Sequence, residues 1–386
     1  MCCESFYTNC KKMLLQYPNK KNRQTIFENI PDVELLPIKE SQSSNLLIKA
    51  NNLVALKQLI TKHQLNGKID LVYLDPPFAT NNVFTISDGR ASTISNIADG
   101  SIAYTDTLKG FEFIEFIRER LVLLHTLLSN KGSIYLHIDY KIGHYVKVVM
   151  DEIFGIENFR NDITRVKCNP KNFARKGYGN IKDLILFYSK TNNPIWNEPK
   201  TPYTEEDKLK LFPKIEKSGR RYTTIPLHAP GETQNGKTAQ AFKGILPPQG
   251  RHWRSDVGIL EQWDENGLIE WSDNGNPRKK IYFDQQQGKR VQDIWEFKDP
   301  PYPIYPTEKN ADLLDLIVKT SSNPESIVLD CFAGSGTTLK AAHLNGRKWI
   351  GIDQSEQAIN AITKKLSNIE GDLFVQNVDY KLLKAE

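Results

Sequence analysis

The segment that most constrains the fold is a short apolar run, residues 69–74, that ends in Asp75-Pro76-Pro77-Phe78. A nearly continuous apolar run of this length is typical of a strand buried on both faces of a parallel sheet. Two successive prolines lack the N–H groups that a sheet ladder needs, so the strand must end there in a stiff turn. In open α/β sheets, ligands bind at the carboxyl ends of the strands. The four residues therefore predict an acid, a rigid carbonyl and an aromatic ring at a ligand site, although a plain strand and turn would fit them equally well.

Strands and helices alternate along much of the chain. Apolar residues at three- and four-residue steps predict a long helix over residues 111–130, which Lys131-Gly132 is expected to end. The same patterns predict a strand and a helix within residues 45–60, strands over 133–138, 183–189, 326–330 and 349–353, and helices over 143–154, 312–320, 337–344 and 356–366. This alternation favours an α/β fold with a doubly wound, mostly parallel sheet.

Two intervals break this alternation. Residues 81–110 are rich in Ser, Thr, Gly and Asp, and a loop this long next to a ligand site is expected to cover a substrate. The interval 191–298 holds many Pro and Gly turns and five of the six tryptophans, which indicates an inserted module of short strands and loops. The predicted organisation is a loose N-terminal extension with a short helix (1–44), a first half-domain (45–190), the insertion (191–298) and the second half of the same domain (299–386).

Charge and composition narrow the class of protein. Between residues 161 and 298 the chain has 24 Lys and Arg against 17 Asp and Glu, so the whole excess of the +5 net charge lies in the middle of the chain. A basic region of this kind favours a polyanionic partner. No apolar run reaches the roughly 18 residues that a membrane span requires, and the N-terminus lacks the apolar core of a signal peptide, so a cytoplasmic protein is expected. The five cysteines show no C-x-x-C spacing, and no metal site is predicted.

A second candidate site follows the insertion. Residues 326–338, SIVLDCFAGSGTT, predict a strand that passes through a glycine turn into a helix, and Asp353 ends the next strand. Glycines let the backbone approach a nucleotide closely, and an acid at the tip of the second strand accepts hydrogen bonds from ribose hydroxyls. No Lys-Ser/Thr pair follows the glycines, which argues against a P-loop, and Leu339 stands where a dinucleotide site would have its third glycine. The sequence F-A-G-S-G (332–336) instead suits S-adenosylmethionine (AdoMet), which has no pyrophosphate to bind.

The combination of F-x-G-x-G with Asp-Pro-Pro-Phe resembles the DNA amino-methyltransferases. The acid comes first, the basic insertion second and the glycine turn last, which is similar to the order in the circularly permuted β class. Segments 250–256, 275–284 and 291–297 and the lead-in to the glycine turn resemble modification subunits of type II and type III restriction systems. Tyr305 and Asn310 depart from the family's His and Pro, and Phe78 replaces the commoner Tyr. Asp75, rather than Ser, resembles the adenine-N6 members.

The resemblance implies a Rossmann-like, AdoMet-dependent methyltransferase fold with a division of roles. Asp75 and the carbonyl of Pro76 would accept the two N–H bonds of a flipped-out adenine amine, Pro77 would stiffen the turn, and Phe78 would stack on the base. The residues expected to hold AdoMet are Asp330, Phe332, Ala333, Gly334, Gly336, Thr337 and Asp353, with Thr307 and Lys309 carried over from the lead-in. No metal is implied.

The insertion is expected to recognise the DNA target. Cations of this region can contact base edges and phosphates, and those assigned to DNA are Arg251, Arg254, Arg278, Lys279 and Lys280. Most tryptophans of the insertion are expected to form its own core. The resemblance further implies double-stranded DNA as the partner and a homodimer, and it leaves open whether a cognate restriction endonuclease accompanies the chain.

Three alternatives remain open on the sequence. Cytosine-N4 methylation would use the same fold and cofactor site. A catalytically silent DNA-binding or specificity subunit would keep the fold, although the intact acids and glycines argue against it. An NAD-dependent oxidoreductase is disfavoured by the missing third glycine and leaves Asp-Pro-Pro-Phe unexplained. His137 and Asp139, which end a predicted strand, are expected to be structural polar groups rather than catalytic ones.

Overall fold

The computed structural model describes residues 14–77 and 110–386, apart from positions 171, 173, 175, 302, 304, 306, 307, 368 and 370–377. Between these two stretches it describes only the backbone of three strands, Val83–Ser87, Arg90–Thr93 and Ser101–Thr105. The chain divides into two compact units, of which the first contains residues up to Pro199 and from Gln292 onwards, and the second is Lys200–Val291.

Ten strands of the described chain form one sheet in the first unit. In chain order they are β1 (Leu35–Lys39), β2 (Leu46–Lys49), β3 (Ile69–Leu74), β4 (Leu128–Ile138), β5 (Phe159–Val166), β6 (Lys182–Ser189), β7 (Ile294–Trp295), β8 (Ile327–Asp330), β9 (Lys348–Asp353) and β10 (Lys381–Ala385). Their order across the sheet is β1-β10-β2-β9-β8-β3-β4-β6-β5-β7. The central strands from β10 to β4 are parallel. At the margins β1 pairs antiparallel with β10, β6 pairs antiparallel with both β4 and β5, and β7 pairs parallel with β5. The predicted doubly wound, mostly parallel sheet is thus confirmed.

The first unit contains seven α-helices in its described residues. They are α1 (Arg23–Asn29), α2 (Asn52–Thr61), α3 (Gly110–Leu127), α4 (Gly143–Phe154), α5 (Ala311–Ser321), α6 (Thr337–Leu344) and α7 (Glu356–Ser367). The stripe of α3 that predicts a helix is buried, including Ile117, Leu121 and Leu124. However, α3 ends at Leu127 and β4 begins at Leu128, so the expected stop at Lys131-Gly132 is three residues too late.

Helices cover both faces of the sheet, as its apolar strands require. On one face α1 to α4 form a continuous apolar core with side chains of β3, β4 and β8. On the other face the hydroxyl of Tyr135 on β4 is hydrogen-bonded to Ser321 of α5 (2.8 Å), and Leu339 of α6 packs against Gly351 of β9. A Cβ at position 351 would collide with Leu339, so this glycine lets α6 lie directly on the strand.

Two sequence predictions need correction in the first unit. The described part of the N-terminal extension is not loose, because Ile26 and Ile30 are buried in the core and β1 is an edge strand of the main sheet. The interval 81–110 is not wholly irregular either, since its three described strands form a small antiparallel sheet. Its expected role as a substrate cover stays a prediction.

The second unit is a small module of short antiparallel strands. Its four-stranded sheet has the order Lys214–Ile215, Arg221–Pro226, Pro277–Tyr282, Ile269–Trp271. Helix Val257–Glu265 packs beside a separate apolar core formed by Leu227, Phe242, Trp253, Val257, Leu260 and Ile269, against which Trp263 lies. Trp253 is fully buried and Trp271 stacks on Phe242, so these aromatic rings stabilise the module itself.

Candidate active site

The carboxyl ends of three neighbouring parallel strands bring the two predicted sites together. Strand β3 pairs with β8, and β8 pairs with β9, so Asp75, Asp330 and Asp353 follow or end adjacent strands. Residues paired in a parallel ladder project to the same face, and Asp330 pairs with both Tyr73 and Gly351. All three acids therefore belong to the face of the sheet that α5 and α6 cover, although some 255 residues separate Asp75 from Asp330 along the chain.

Asp75 has two carboxylate oxygens in different surroundings. Its Oδ2 lies 2.7 Å from the Lys309 ammonium, and the two side chains are only 15% and 10% exposed. Its Oδ1 is buried and has no hydrogen-bond partner among the described residues. A buried acceptor without a partner costs about 1–3 kcal/mol, which a donor from a ligand would recover. Pro76 is buried and Pro77 half-buried beside it, while Phe78 lies outside the described residues.

The glycine turn (residues 331–336) is fixed by backbone hydrogen bonds to the neighbouring strand ends. The amide of Gly334 donates to Asp353 Oδ2 (3.0 Å), and the amide of Ser355 donates to Asp353 Oδ1 (2.9 Å). The amide of Phe332 donates to Asp330 Oδ1 (3.0 Å). A carboxylate has about four lone-pair sites, so Asp353 retains acceptor capacity for a ribose hydroxyl after these two bonds.

Gly336 shows why the turn needs a glycine. Its φ of +76° lies in the left-handed region, and a Cβ there would approach Ile362 Cγ1 of α7 to 2.9 Å. Both the backbone conformation and the close helix exclude a side chain. Ala333 is buried in the same turn, and its amide donates to the Ile352 carbonyl (3.1 Å).

Thr337 and Lys309, which the sequence assigns to AdoMet, have polar partners within the chain. Thr337 Oγ1 accepts from the Lys365 ammonium (2.9 Å), which also pairs with Glu308 (2.5 Å). The Lys309 ammonium pairs with Asp75, and the cofactor role expected of both residues stays a prediction. Thr307 lies outside the described residues. Tyr305, which stands where the family has His, is buried with its ring edge 3.5 Å from where a Gly334 Cβ would be.

Burial raises the pKa values of Asp330 and Asp353, the two acids beside the glycine turn. Burial is the main cause that raises the pKa of Asp330 to about 7, and the nearby Asp75 and Asp353 add to it, while Thr338 and the Phe332 amide oppose it. Burial likewise raises the pKa of Asp353, against the hydrogen bonds from Ser355 and Gly334. Buried carboxyl groups with raised pKa values favour a cationic ligand, because a nearby positive charge stabilises their ionised forms.

His137 lies in a buried polar network behind Asp75. Its Nδ1 is hydrogen-bonded to the Tyr73 hydroxyl (2.9 Å) and its Nε2 lies 3.3 Å from Asp183 Oδ2. Asp183 in turn pairs with Lys167 (2.6 Å) and Arg165 (3.5 Å). Burial lowers the pKa of His137, so the ring is neutral at neutral pH. These contacts agree with the structural role expected for His137, which stays a prediction.

Asp139, the other polar residue at the end of this strand, serves the local turn. Its Oδ1 accepts from the Lys141 amide (2.8 Å) and its carbonyl from the Gly143 amide that opens α4 (3.0 Å). The structural role expected for it agrees with these contacts and stays a prediction.

Sequence reasoning missed a buried arginine beneath the glycine turn. Arg120 of α3 is 3% exposed, its Nε donates to Asn52 Oδ1 (2.8 Å), and Asn52 Nδ2 donates to the Cys331 carbonyl (3.0 Å). The guanidinium lies 3.4 Å from the ring centroid of Phe116, whose neighbour is Phe332. The signal was present, because Arg120 occupies the same helical stripe as the buried Phe113, a position where a charge needs an explanation.

The five cations assigned to DNA differ in their availability. Arg251 and Arg254 are exposed. Arg278 donates to the hydroxyl and the carbonyl of Thr224 (2.8 Å each), Lys280 pairs with Glu216 (3.0 Å), and Lys279 lies 3.2 Å from the ring centroid of Trp263. The last three therefore stabilise their own sheet in this structure.

Fold and site together define a class of protein. The sheet is doubly wound, a glycine turn follows one central strand, and acids stand at or just after the ends of this strand and of both its neighbours. This arrangement is typical of proteins that bind a nucleotide cofactor. The turn is too short of glycines for a dinucleotide, and its buried acids fit a cationic nucleoside such as AdoMet. No helix in the described part of the chain is long and apolar enough to cross a membrane.

Comparison with known proteins gives the family. The DNA methylase family model N6/N4 matches residues 69–365, and the chain belongs to this family. It is 39% identical to the type II methyltransferase M.EcaI of Enterobacter cloacae, over 92% of this chain and 78% of that protein. It is 40% identical to the DNA adenine methyltransferase YhdJ of Escherichia coli K12, over 86% and 85%. The crystal structure of an M1.HpyAVI–SAM complex covers 83% of this chain and 100% of that one, with 17% identity and a TM-score of 0.44.

Family membership settles the coarse activity and the cofactor. The chain is a DNA methyltransferase, its substrate is DNA and its methyl donor is AdoMet, as the sequence predicts. The residues present fit this donor, because the glycine turn allows close backbone approach and the buried carboxyls of Asp330 and Asp353, whose pKa values are raised, favour a cationic ligand.

Proposed function

We propose that this chain methylates the exocyclic N6 amine of adenine in double-stranded DNA. The observation that carries the proposal is Asp75 Oδ1, a buried carboxylate oxygen without a partner among the described residues, at the end of β3 and next to Pro76. The adenine amine has two N–H bonds and a lone pair delocalised into the ring. A carboxylate and a neighbouring backbone carbonyl that accept both bonds would draw the nitrogen toward tetrahedral geometry and free the lone pair.

The methyl transfer depends more on how the amine is oriented than on general acid–base catalysis. When bound, AdoMet supplies an electrophilic methyl group: the N–C bond forms as the S–C bond breaks, and its electron pair stays on sulfur. Asp75 then accepts the proton that the methylated nitrogen loses and passes it to solvent. Fixed placement of the amine contributes by proximity and electrostatic preorganisation, each worth several kcal/mol in enzymes generally.

The target base must leave the duplex to reach this site. Unstacking and unpairing a base costs a few kcal/mol, and stacking on an aromatic ring recovers about 1–3 kcal/mol. Phe78, which directly follows Pro77, is the proposed ring. Pro76 and Pro77 are the proposed stiffeners of the corner, because their rings fix φ and limit how far Asp75 can drift.

Adenine is favoured over cytosine by two observations. The acid at position 75 is Asp, as in the adenine-N6 members that the sequence resembles, and the YhdJ relative is named an adenine methyltransferase. Cytosine-N4 methylation would use the same cofactor site and differs only in the product base. Mass spectrometry of nucleosides from DNA that the purified chain has methylated distinguishes N6-methyladenine from N4-methylcytosine, and a cytosine product would refute the proposal.

The role of Asp75 is tested separately from base identity. Asp75→Ala should abolish methyl transfer to unmethylated genomic DNA and leave AdoMet binding, measured by calorimetry, nearly unchanged. Asp70→Ala is the matched control, because Asp70 is on the same strand and its carboxylate bonds Ser129 instead (2.7 Å). Transfer that survives Asp75→Ala would exclude Asp75 from the reaction.

The second unit is the proposed target-recognition module. Arg251 and Arg254 are its exposed candidates for DNA, whereas Arg278, Lys279 and Lys280 are half-buried. Both exposed arginines also bond within the module, Arg251 to His228 Nδ1 (3.1 Å) and Arg254 to the Pro226 carbonyl (3.2 Å). A homodimer and a cognate restriction endonuclease are further proposals, supported by the β-class resemblance and by the type II name of the M.EcaI relative.

A further inference from the structure

Lys309 reaches the reaction centre from another part of the chain. It immediately precedes the N-cap of α5, Asn310, whose Oδ1 accepts the amides of Asp312 and Leu313. The cap fixes the start of α5, and α5 packs on the face of the sheet that carries Asp75. The lysine ammonium lies 2.7 Å from Asp75 Oδ2, with both side chains nearly buried. The fold therefore fixes both partners of the ion pair, Lys309 at the start of α5 and Asp75 at the end of β3.

The ion pair makes the two oxygens of Asp75 unequal. Oδ2 is bound to the ammonium, whereas Oδ1 is buried without a partner in the described residues. A carboxylate held at one oxygen cannot rotate freely about its Cβ–Cγ bond, so the other oxygen keeps one direction. A charge-assisted hydrogen bond of this kind is short and strong enough to fix that direction.

We propose that Lys309 is a positioning residue for Asp75, and that its ammonium, rather than binding the cofactor, orients Oδ1 toward the target amine. The inference rests on the proposed function, because it assigns a role relative to the amine that Asp75 holds. It reassigns Lys309, which the sequence places among the cofactor ligands.

The direction of Oδ1 matters because Asp75 must accept the amine proton. In the methyl transfer the N–C bond forms, the S–C bond breaks with its electron pair going to sulfur, and one proton of the nitrogen moves to Asp75. An oxygen that points away from the amine cannot take this proton.

The experiment compares Lys309→Met and Lys309→Arg with the wild-type chain. Lys309→Met removes the charge and keeps the length, and it should lower kcat about 100-fold, the usual effect of a misplaced reacting group. Its AdoMet dissociation constant, measured by calorimetry without DNA, should stay within about twofold, as expected when only a transition-state interaction is lost. Lys309→Arg should recover much of kcat. Lys319→Met, an exposed lysine of α5, is the control and should match the wild type in every measurement.

Rescue by arginine separates positioning from a merely structural role. Arginine again offers a cationic donor to Asp75 Oδ2, so kcat should recover in Lys309→Arg and stay low in Lys309→Met, while the AdoMet dissociation constant is the same in both. Methyl transfer is followed with radiolabelled AdoMet on unmethylated genomic DNA, and folding by far-UV circular dichroism.

Two results would overturn the inference. If Lys309→Met weakens AdoMet binding tenfold or more and leaves kcat at saturating AdoMet intact, Lys309 is a cofactor ligand. If kcat falls and Lys309→Arg does not rescue it, the lysine acts only through the fold. Should the Met variant fail to fold, Lys309→Gln carries the same comparison. The product base is scored on the wild-type chain, so failure of the adenine assignment is distinguishable from failure of the Lys309 assignment.

Discussion

The raised pKa of Asp330 gives a quantitative prediction, because burial destabilises the ionised form of this carboxyl group in the folded chain. Burial together with the nearby Asp75 and Asp353 raises its pKa from 3.8 to about 7. The folded chain therefore binds a proton that the unfolded chain has released between these pH values, and folding stability falls as pH rises through this window. At 1.36 kcal/mol per pKa unit the penalty above pH 7 is about 4 kcal/mol as an order of magnitude.

Asp330→Asn removes the charge and keeps the oxygen that accepts the Phe332 amide. We expect the apo variant to melt several degrees higher than wild type at pH 8, with the difference shrinking toward pH 5, where wild-type Asp330 is protonated. Asp162→Asn, at an exposed aspartate of β5, should show no such dependence. Differential scanning calorimetry without ligand across this range measures the effect.

The ionisation of Asp330 should also affect cofactor binding, but in the opposite direction: AdoMet affinity should rise with pH, whereas folding stability falls. AdoMet carries an ammonium and a sulfonium, so its affinity should rise with pH as Asp330 ionises, by up to about tenfold per unit below pH 7. In Asp330→Asn the affinity should be lower at pH 8 and nearly independent of pH. Calorimetry in two buffers of different ionisation enthalpy should find proton release on binding near pH 6.5 for the wild type alone. An unchanged pH slope in the variant would refute the assignment of the titration to Asp330.

Two further predictions follow from local geometry. Gly336→Ala should lower the free energy of unfolding by about 2–4 kcal/mol, from the left-handed backbone and the overlap with Ile362. Gly346→Ala has a similar φ of +70° and an open environment, so it should cost only about 1–2 kcal/mol; equal losses in urea titrations of the two variants would contradict the steric argument. The double variant Arg251→Ala/Arg254→Ala should weaken DNA binding, lower the slope of log Kobs against log salt by about 2, and leave AdoMet affinity unchanged; an unchanged slope would remove these arginines from the DNA interface.

The parts of the site that local sequence determines were predictable. An apolar run stopped by two prolines ends a strand wherever it occurs, and Gly336 is required by its own φ and by the helix behind it. Those signals lie within a few residues, so the carboxylate at β3 and the glycine turn after β8 could both be found. Family resemblance then supplied the cofactor, which no spacing of residues identifies alone.

The parts that depend on distant contacts were not predictable. The pairing of Lys309 with Asp75 joins residues 234 positions apart, and a lysine before a helix is more often solvated. Strands β5 and β10 were not predicted because β5 mixes charged and apolar residues and β10 is only five residues long. Arg120 could have been found, since it interrupts an apolar stripe, but its partner Asn52 could not.

The arrangement of charges explains why one site can serve both the donor and the acceptor of a methyl group. Asp330, Asp353 and Asp75 stand at or just after the ends of three adjacent strands, and Lys309 forms an ion pair with Asp75. The acids with raised pKa values are thus those on the cofactor side, where a permanent cation is expected, whereas the acid with a lysine partner is the one proposed to meet a neutral amine. Positive charge that leaves sulfur during the proposed transfer appears on nitrogen, next to the side chain of Asp75 that is already in place. Preorganised charges of this kind need no rearrangement during the reaction, and that absence of rearrangement is the main source of electrostatic catalysis.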